Sequence, residues 1–321
     1  MKRLHQTGMT LVELLVGFLI GLTLIAGLLQ IVVNSGRSFQ IQEEMMRMQD
    51  NGKYALERLL LDLRNTSYFG CIPSVESISN QLKTGSQFLT FEAGLEGTAN
   101  ENGNGPAVVG SDTITIRGAS SVSGGRPLLS PLPTTVSDPL VVGPNSGIEV
   151  NDILLISDCN SGDIFQVTGI DLNGELQHLA TGSNPGNAAE NLSKVYNDKA
   201  FVYQTYTRLY DIRPGTNGTS SLYVTDEEGT EELVQGIENM VILYGEDTDK
   251  DGVANRYVRA NAVHSMQDIV SIRVNLLMSS EQDGLTQKPT AYVFNGLTIM
   301  PTDNRLRQEY SSTVMLRNRG R

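Results

Sequence analysis

From Met9 to Val33 the chain reads MTLVELLVGFLIGLTLIAGLLQIVV, 25 residues with one ionisable side chain, Glu13. At 1.5 Å rise per residue such a run is about 37 Å long as a helix, enough to cross a hydrocarbon core of about 30 Å. A secretory signal has an apolar stretch of only about 7–15 residues and ends at a small-residue A-x-A-like site, and neither feature is present. Residues 1–8, MKRLHQTG, are short and basic through Lys2 and Arg3, which an ordinary single-span anchor would keep on the cytoplasmic side. A mean hydropathy of −0.16 excludes a polytopic membrane protein, because the strongly apolar sequence is confined to the first tenth of the chain.

A simple anchor explains everything except Glu13. A carboxylate inside an apolar helix costs about 2.5–3.5 kcal/mol on insertion scales, so it needs a partner. Cleavage after Gly8 would free an α-amine on Met9, four residues before Glu13. Ammonium and carboxylate could then neutralise each other, within one chain or between neighbours. The carboxylate would also complement the positive end of the helix dipole.

Gly8-Met9-Thr10-Leu11-Val12-Glu13, behind a basic leader and ahead of a long apolar helix, resembles the type IV prepilin signature. The resemblance implies that a prepilin peptidase cuts between Gly8 and Met9 and N-methylates Met9. It also implies that Glu13 pairs with the amine of an adjacent subunit during assembly. Most members of that family have Phe where this chain has Met9.

Asn34-Ser35-Gly36 marks the end of the apolar run, but a helical pattern resumes at once. Between Ser38 and Asn65, Phe39, Ile41, Met45, Met48, Ala55, Leu56, Leu59, Leu60 and Leu63 recur at spacings near three and four, as an amphipathic helix requires. Glu57, Arg58, Asp62 and Arg64 are assigned to the other face. Gly52 is a soft spot where the helix could bend, and Met45–Met48 are expected to pack. One helix of about 55 residues is expected, since no proline occurs before Pro73.

Beyond Cys71, short β-type runs alternate with Gly, Asn, Ser and Pro clusters. Strands are expected at Asp112–Arg117, Asp152–Ser157, Ile164–Ile170, Ala200–Ile212, Ser220–Thr225, Met240–Gly245, Ile269–Met278 and Ser312–Leu316. In the clearest, Val270, Ile272, Val274, Leu276 and Met278 alternate with Arg273 and Asn275. One apolar face needs a cover, and the amphipathic half of the helix is available. The expected fold is α+β and pilin-like: a long helix, half membrane-spanning and half amphipathic, on an antiparallel sheet with long loops. The segments are residues 1–8 as a cleaved leader, 9–33 as the membrane or filament-core helix, 34–66 as its amphipathic half and 67–321 as the head. Residues 94–111 and 118–147 read as surface excursions. Cys71 and Cys159 are an even pair, expected to be bridged in an exported chain, the alternative being two buried thiols. Closing a loop of about 88 residues would contribute roughly 4–5 kcal/mol on the chain-entropy model.

Asp247, Asp249, Asp251, Gly252 and Asn255 follow D-x-D-x-D-G-x-x-N, in which alternate carboxylates converge on a hard cation and glycine permits the sharp turn. The bidentate glutamate of a complete EF-hand loop is replaced by Val258. Calcium would therefore bind weakly, at about 10⁻⁴–10⁻³ M. An acidic turn between strands is the competing reading. No other cofactor is called for.

Leu233-Val234-Gln235-Gly236-Ile237-Glu238-Asn239-Met240, then Tyr244-Gly245 into Asp247, Arg256-Tyr257-Val258, and Thr313-Val314-Met315-Leu316-Arg317-Asn318-Arg319 near the C-terminus are similar to the PilW family of minor pilins. The resemblance implies a single-pass inner-membrane precursor with a periplasmic head, later part of a surface pilus used in twitching motility and cell adhesion. Its partners would be the prepilin peptidase, other minor pilins that prime assembly at the pilus tip, and a tip adhesin. Two rival readings remain open: a tip pseudopilin of a type II secretion system, and a non-polymerising, membrane-anchored calcium-binding periplasmic protein.

An enzyme is not expected. Three histidines, His5, His178 and His264, lie far apart, and no H-E-x-x-H, G-x-S-x-G, Walker A or C-x-x-C motif occurs. With 36 acidic against 24 basic side chains and a net charge of −12, the head lacks the basic face that nucleic acid requires. Residues 305–321 depart from that acidity, holding five arginines and one glutamate, and are expected to form a subunit contact.

Overall fold

The computed structural model describes residues 10–72, 75–83, 91, 93–101, 106–120, 124–182, 185–215 and 218–318. Helix α1 runs unbroken from Leu11 to Asn65. Among the described residues its first 26 are exposed apart from a half-exposed Gly21, and the helix is long and apolar enough to cross a membrane. The head then covers one stripe of its second half: Glu44, Met48, Gly52, Ala55, Leu59, Leu60, Asp62 and Leu63 are buried, at spacings that keep them on one side.

The described strands are β1 (Ile78–Asn80), β2 (Leu95–Thr98), β3 (Thr113–Ala119), β4 (Arg126–Pro127), β5 (Leu140–Val141), β6 (Ile153–Ser157), β7 (Gly162–Gln166), β8 (Gly169–Ile170) and β9 (Glu175–Gln177). They continue with β10 (Phe201–Pro214), β11 (Ser220–Thr225), β12 (Thr230–Gln235), β13 (Ile237–Glu246), β14 (Arg256–Val258), β15 (Ile269–Ser279), β16 (Tyr292–Phe294), β17 (Leu297–Ile299) and β18 (Arg307–Met315). The fold is α+β, with antiparallel pairing throughout these strands except between β1 and β7.

Two sheets matter for the helix. One runs β14-β13-β15-β18, and the other follows β1-β7-β6-β10-β11-β12 with β2, β3 and β4 attached at its side. Met48, Ala55, Leu59, Leu60 and Leu63 of α1 share a core with Tyr210, Ile212, Leu222, Ile242, Ile272, Val274 and Leu276. The alternation expected for β15 therefore faces the helix at Ile272, Val274, Leu276 and Met278, whereas at the start of the strand Ile269, and not Val270, enters that core. Its other face is covered as well, since Leu277 packs with Val241 and with Phe294 of the β16–β17 hairpin.

Strand β10 ties the head together. Its first residues pair with β6, and its later ones with β3 and β11. Val202 lies in a separate core built with Leu128, Leu140, Val142, Leu154, Phe165 and Leu176. Residues 118–147 thus do not merely cross the surface. Leu128, Leu140 and Val142 are apolar enough to recruit that stretch into a core of its own.

Gly52 does not act as a hinge either. A Cβ there would lie 2.7 Å from Cε2 of Tyr310, so the missing side chain lets β18 approach the helix. Asp62, assigned by pattern to the outer face, is instead 4% exposed and points into the head.

Candidate functional site

Four arrangements bear on function: the start of α1, its grip by the sheet, the covalent tie at its far end, and the acidic loop. Gly8 and Met9 lie outside the described residues. Thr10 caps α1 through a reciprocal box. The Glu13 amide donates to Thr10 Oγ1 at 3.3 Å, and the Thr10 amide and hydroxyl donate to Glu13 Oε2 at 3.4 and 3.5 Å. The lone carboxylate of the apolar run is therefore turned toward the positive end of its own helix. A second group arriving at that end meets an exposed anion.

Contacts between helix and head climb α1 in order. Arg37 Nη2 donates to the Gly284 carbonyl at 3.1 Å, the Glu281 amide to Glu44 Oε2 at 3.2 Å, and Tyr206 Oη to the Asn65 carbonyl at 3.1 Å. Asn318 Nδ2 donates to the Thr66 carbonyl at 3.0 Å, just past the helix end. From Tyr310 at Gly52 to Asn318 at Thr66 the chain advances about 26 Å as strand and about 21 Å as helix, so β18 and its tail run alongside α1 in the same sense.

The strongest polar contact in that interface is at Asp62. Arg208 Nη1 lies 2.8 Å from Oδ1, and the Tyr210 hydroxyl donates to Oδ2. Burial, with the Asp62 charge beside it, drives the Tyr210 phenol far up, so it stays an O–H donor. Charge patterning along the helix alone assigns Asp62 outward. Its partners lie about 146–148 residues away, and no local signal links them.

Arg305 and Arg307, expected in a basic subunit contact, are used inside the chain. Arg305 Nη1 donates to the Ser280 and Glu281 carbonyls, both at 2.7 Å. Arg307, its side chain 5% exposed, is held by Glu238 and Asp303 at 2.6 Å. These contacts fix the entry to β18.

Cys71 and Cys159 are joined, with an S–S distance of 2.08 Å. Cys71 follows the helix end, and Cys159 sits in the turn between β6 and β7 with φ +71°. The bond fastens the far end of α1 to the sheet that backs the second core.

The acidic loop connects β13 to β14, and Glu246–Arg256 closes its base at 2.5 Å. Carboxylate oxygens of Asp247, Asp249 and Asp251 lie within 4.8 Å of one another. Much of their capacity is already used. Asp247 Oδ1 accepts from the amides of Lys250 and Asp251 at 2.6 and 3.3 Å, and Oδ2 from that of Gly252 at 2.7 Å. Asn255 Oδ1 accepts from the Thr248 amide and hydroxyl at 2.6 and 3.0 Å, and its Nδ2 donates to Asp249 at 3.2 Å. Burial opposes charge on Asp247, but the Gly252 and Lys250 amides outweigh it and hold the carboxyl below the usual range. Val258 pairs with Tyr244 in the ladder. The geometry is an acidic turn closed on itself, with three carboxylates near enough to share one cation.

A family model described as Type IV Pilus-assembly protein W matches residues 209–318. That segment runs from the middle of β10 through Asn318, so it contains Tyr210, the acidic loop and the whole sheet β14-β13-β15-β18. No curated protein matches the chain, and no solved structure does.

Proposed function

We propose that this chain is a minor type IV pilin that helps initiate pilus assembly and sits at or near the pilus tip with other minor pilins. The observation that carries the reading is the pilus-assembly match over residues 209–318, in one chain with a long apolar helix, one such among the described residues, gripped by the matched sheet. The matched family is one of pilus assembly and not of enzymes.

In this reading the prepilin peptidase cuts between Gly8 and Met9 and methylates Met9. Residues 9–33 hold the precursor in the inner membrane with the head in the periplasm. Glu13, exposed and turned toward the helix start, accepts the amine of a neighbouring subunit, which removes the cost of a carboxylate in an apolar bundle. The shared core and hydrogen bonds between α1 and the head would carry that docking into the orientation of the head. Other minor pilins, and through them an adhesin, would meet the head's outer surface at the cell surface.

The test is a chromosomal Glu13→Ala substitution. Membrane insertion and leader cleavage are expected to be unchanged, while surface pili and twitching fall. Normal piliation would refute the assembly role. In a strain lacking prepilin peptidase the wild-type chain should migrate as the longer precursor, and unchanged mobility would exclude any filament reading. A deletion that spares pili but blocks protein secretion would move the chain to a secretion filament instead.

A further inference from the structure

Among the described residues, Arg37 is the first residue of α1 hydrogen-bonded to the head, its Nη2 donating to the Gly284 carbonyl at 3.1 Å. Seven residues further on, Glu44 accepts from the Glu281 amide at 3.2 Å. Between those points the helix rises about 10 Å, and residues 281–284 cover about 10 Å as extended chain. The segment that follows β15 therefore descends α1 at nearly full stretch, toward the apolar run, with Gly284 at its foot. It is braced there. The Gly284 and Asn304 amides donate to Asp283 Oδ1 at 2.7 and 2.9 Å, and Arg305 Nη1 donates to the Ser280 and Glu281 carbonyls, both at 2.7 Å.

Two polar residues set how deep the helix sits in a bilayer. Glu13 and Asn34 bracket residues 14–33, which carry no ionisable side chain and are about 30 Å long as a helix, one hydrocarbon thickness. Sliding the helix outward would draw Glu13 into hydrocarbon and push Val32 and Val33 into water. Sliding it inward would bury Asn34, Ser35 and then Arg37. With Val33 at the hydrocarbon edge, Arg37 stands about 6 Å beyond it, within a headgroup layer about 5–7 Å deep. Because α1 is unbroken from Leu11 to Asn65, that height passes directly to the loop that Arg37 holds.

We propose that the loop through Gly284 is a lipid-contact surface, seated on the phospholipid headgroups while the chain waits in the membrane; this rests on the single-span anchoring proposed above. Glu281, Gln282, Asp283, Gly284, Gln287 and Lys288 are all exposed. In residues 281–290 the ionisable side chains are Glu281, Asp283 and Lys288, which together with Arg37 leave no net charge. That balance suits a zwitterionic headgroup, whose phosphate meets Arg37 and Lys288 and whose ammonium meets Glu281. It lacks the pull that a basic cluster has for anionic lipid. Held at two heights on α1 and seated on lipid, the head stands in one orientation before a neighbouring subunit arrives.

The chain contains no tryptophan, so a single introduced one reports its own surroundings. Full-length Gln282→Trp and Gln287→Trp, on either side of Gly284, are placed in phosphatidylcholine vesicles containing lipid with a nitroxide on its headgroup. Met315→Trp, 65% exposed, is the distant reference. Asn318, three residues after it, meets Thr66, which stands about 43 Å above Arg37 along the helix. Fluorescence quenching at one or both loop positions is expected to exceed that at Met315→Trp by at least about twofold, since the reference lies beyond the headgroup layer. A smaller ratio at both positions overturns the inference. Leu22→Trp, near the middle of the span, separates this from the anchoring itself, and is expected to be quenched by lipid brominated on its acyl chains. If it is not, the chain is not inserted and both readings fall. If it is, while both loop positions match the reference, the anchor stands and the lipid-contact loop alone is overturned.

Discussion

The Asp62 carboxylate of α1 and the Tyr210 hydroxyl of β10 are hydrogen-bonded inside the head, 148 residues apart in sequence, while Arg208 holds the other carboxylate oxygen at 2.8 Å. One helix residue thus ties two positions of the same strand. Asp62→Asn keeps the volume but removes the charge and weakens both bonds. Hydrogen bonds to charged groups contribute about 1.5–3 kcal/mol each, and the partly exposed Arg208 can regain water, so the expected loss is about 2–3 kcal/mol. Urea unfolding of the full chain in detergent reads this, and an unmoved midpoint would show that the pair does not hold the helix.

Gly52 and Tyr310 make a second prediction, opposite to helix propensity. Glycine to alanine inside a helix ordinarily stabilises by about 0.5–1 kcal/mol. Here the added methyl would stand 2.7–2.9 Å from three ring atoms of Tyr310, which packs against the core from β18. Gly52→Ala is expected to destabilise by about 1–3 kcal/mol through overpacking. Tyr310→Leu should restore the helix gain, so the two changes should be strongly non-additive. Additive effects in a double-mutant cycle would count against the contact.

Both predictions concern residues whose roles the sequence hides, and for the same reason. The 3.6-residue period carries α1 through to Asn65, and the alternation in Ile269–Met278 gives β15, because each pattern repeats within one element. Asp62 breaks its pattern, since a buried carboxylate is tolerated only when Arg208 and Tyr210 arrive from β10. Strand β12 escapes notice because Glu231 and Glu232 mask it on the edge of its sheet. Residues 118–147 read as surface, because their turn residues outnumber Leu128, Leu140 and Val142, whose core partners lie on β6, β7 and β9. The acidic loop is legible as a spacing, but not that its own amides and Thr248 occupy Asp247 and Asn255. Local periodicity is readable; compensation between distant residues is not.

Cys71 and Cys159 close an 88-residue separation between the helix end and the β6–β7 turn. On the chain-entropy model such a closure contributes about 4–5 kcal/mol by limiting the unfolded chain. Cys71→Ser with Cys159→Ser is expected to lose most of that. Unfolding with and without reductant checks it: reductant should shift the wild-type midpoint and leave the double variant unmoved. Equal midpoints for the oxidised wild type and the double variant would overturn the prediction.

Acid should loosen the same head at a different point. Burial works against charge on Glu246, but Arg256 at 2.5–2.8 Å and the His264 and Ser265 amides at 3.0 and 3.3 Å outweigh it, pulling its carboxyl down to about 2. Asp303 is likewise held at about 2, chiefly by Arg307. A depressed carboxyl stabilises the fold above its ordinary value near 4.5 and loses that contribution as pH falls toward 2. The melting temperature is expected to drop across that window. Glu246→Gln should be less stable at neutral pH and show a flatter drop. Parallel curves for the two proteins would place the acid sensitivity elsewhere.

The acidic loop next to Glu246 sets the last expectation. Three carboxylates within 4.8 Å repel one another, and a divalent cation would relieve that. Against this, Asp247 already accepts three amides, Asn255 Oδ1 is taken by Thr248, and Val258 supplies no oxygen side chain. A cation must therefore compete with bonds the loop makes to itself. Calcium is expected to raise the melting temperature only at about 10⁻⁴–10⁻³ M, the range of weak extracellular modules. Asp249→Asn should abolish the rise while leaving the calcium-free melting temperature nearly unchanged, since Asp249 accepts a single hydrogen bond, from Asn255. A midpoint at or below about 10⁻⁵ M would mean that the loop opens and reorganises around the ion. No response at about 10⁻² M, well above that range, would leave Asp247 as the organiser of a plain turn.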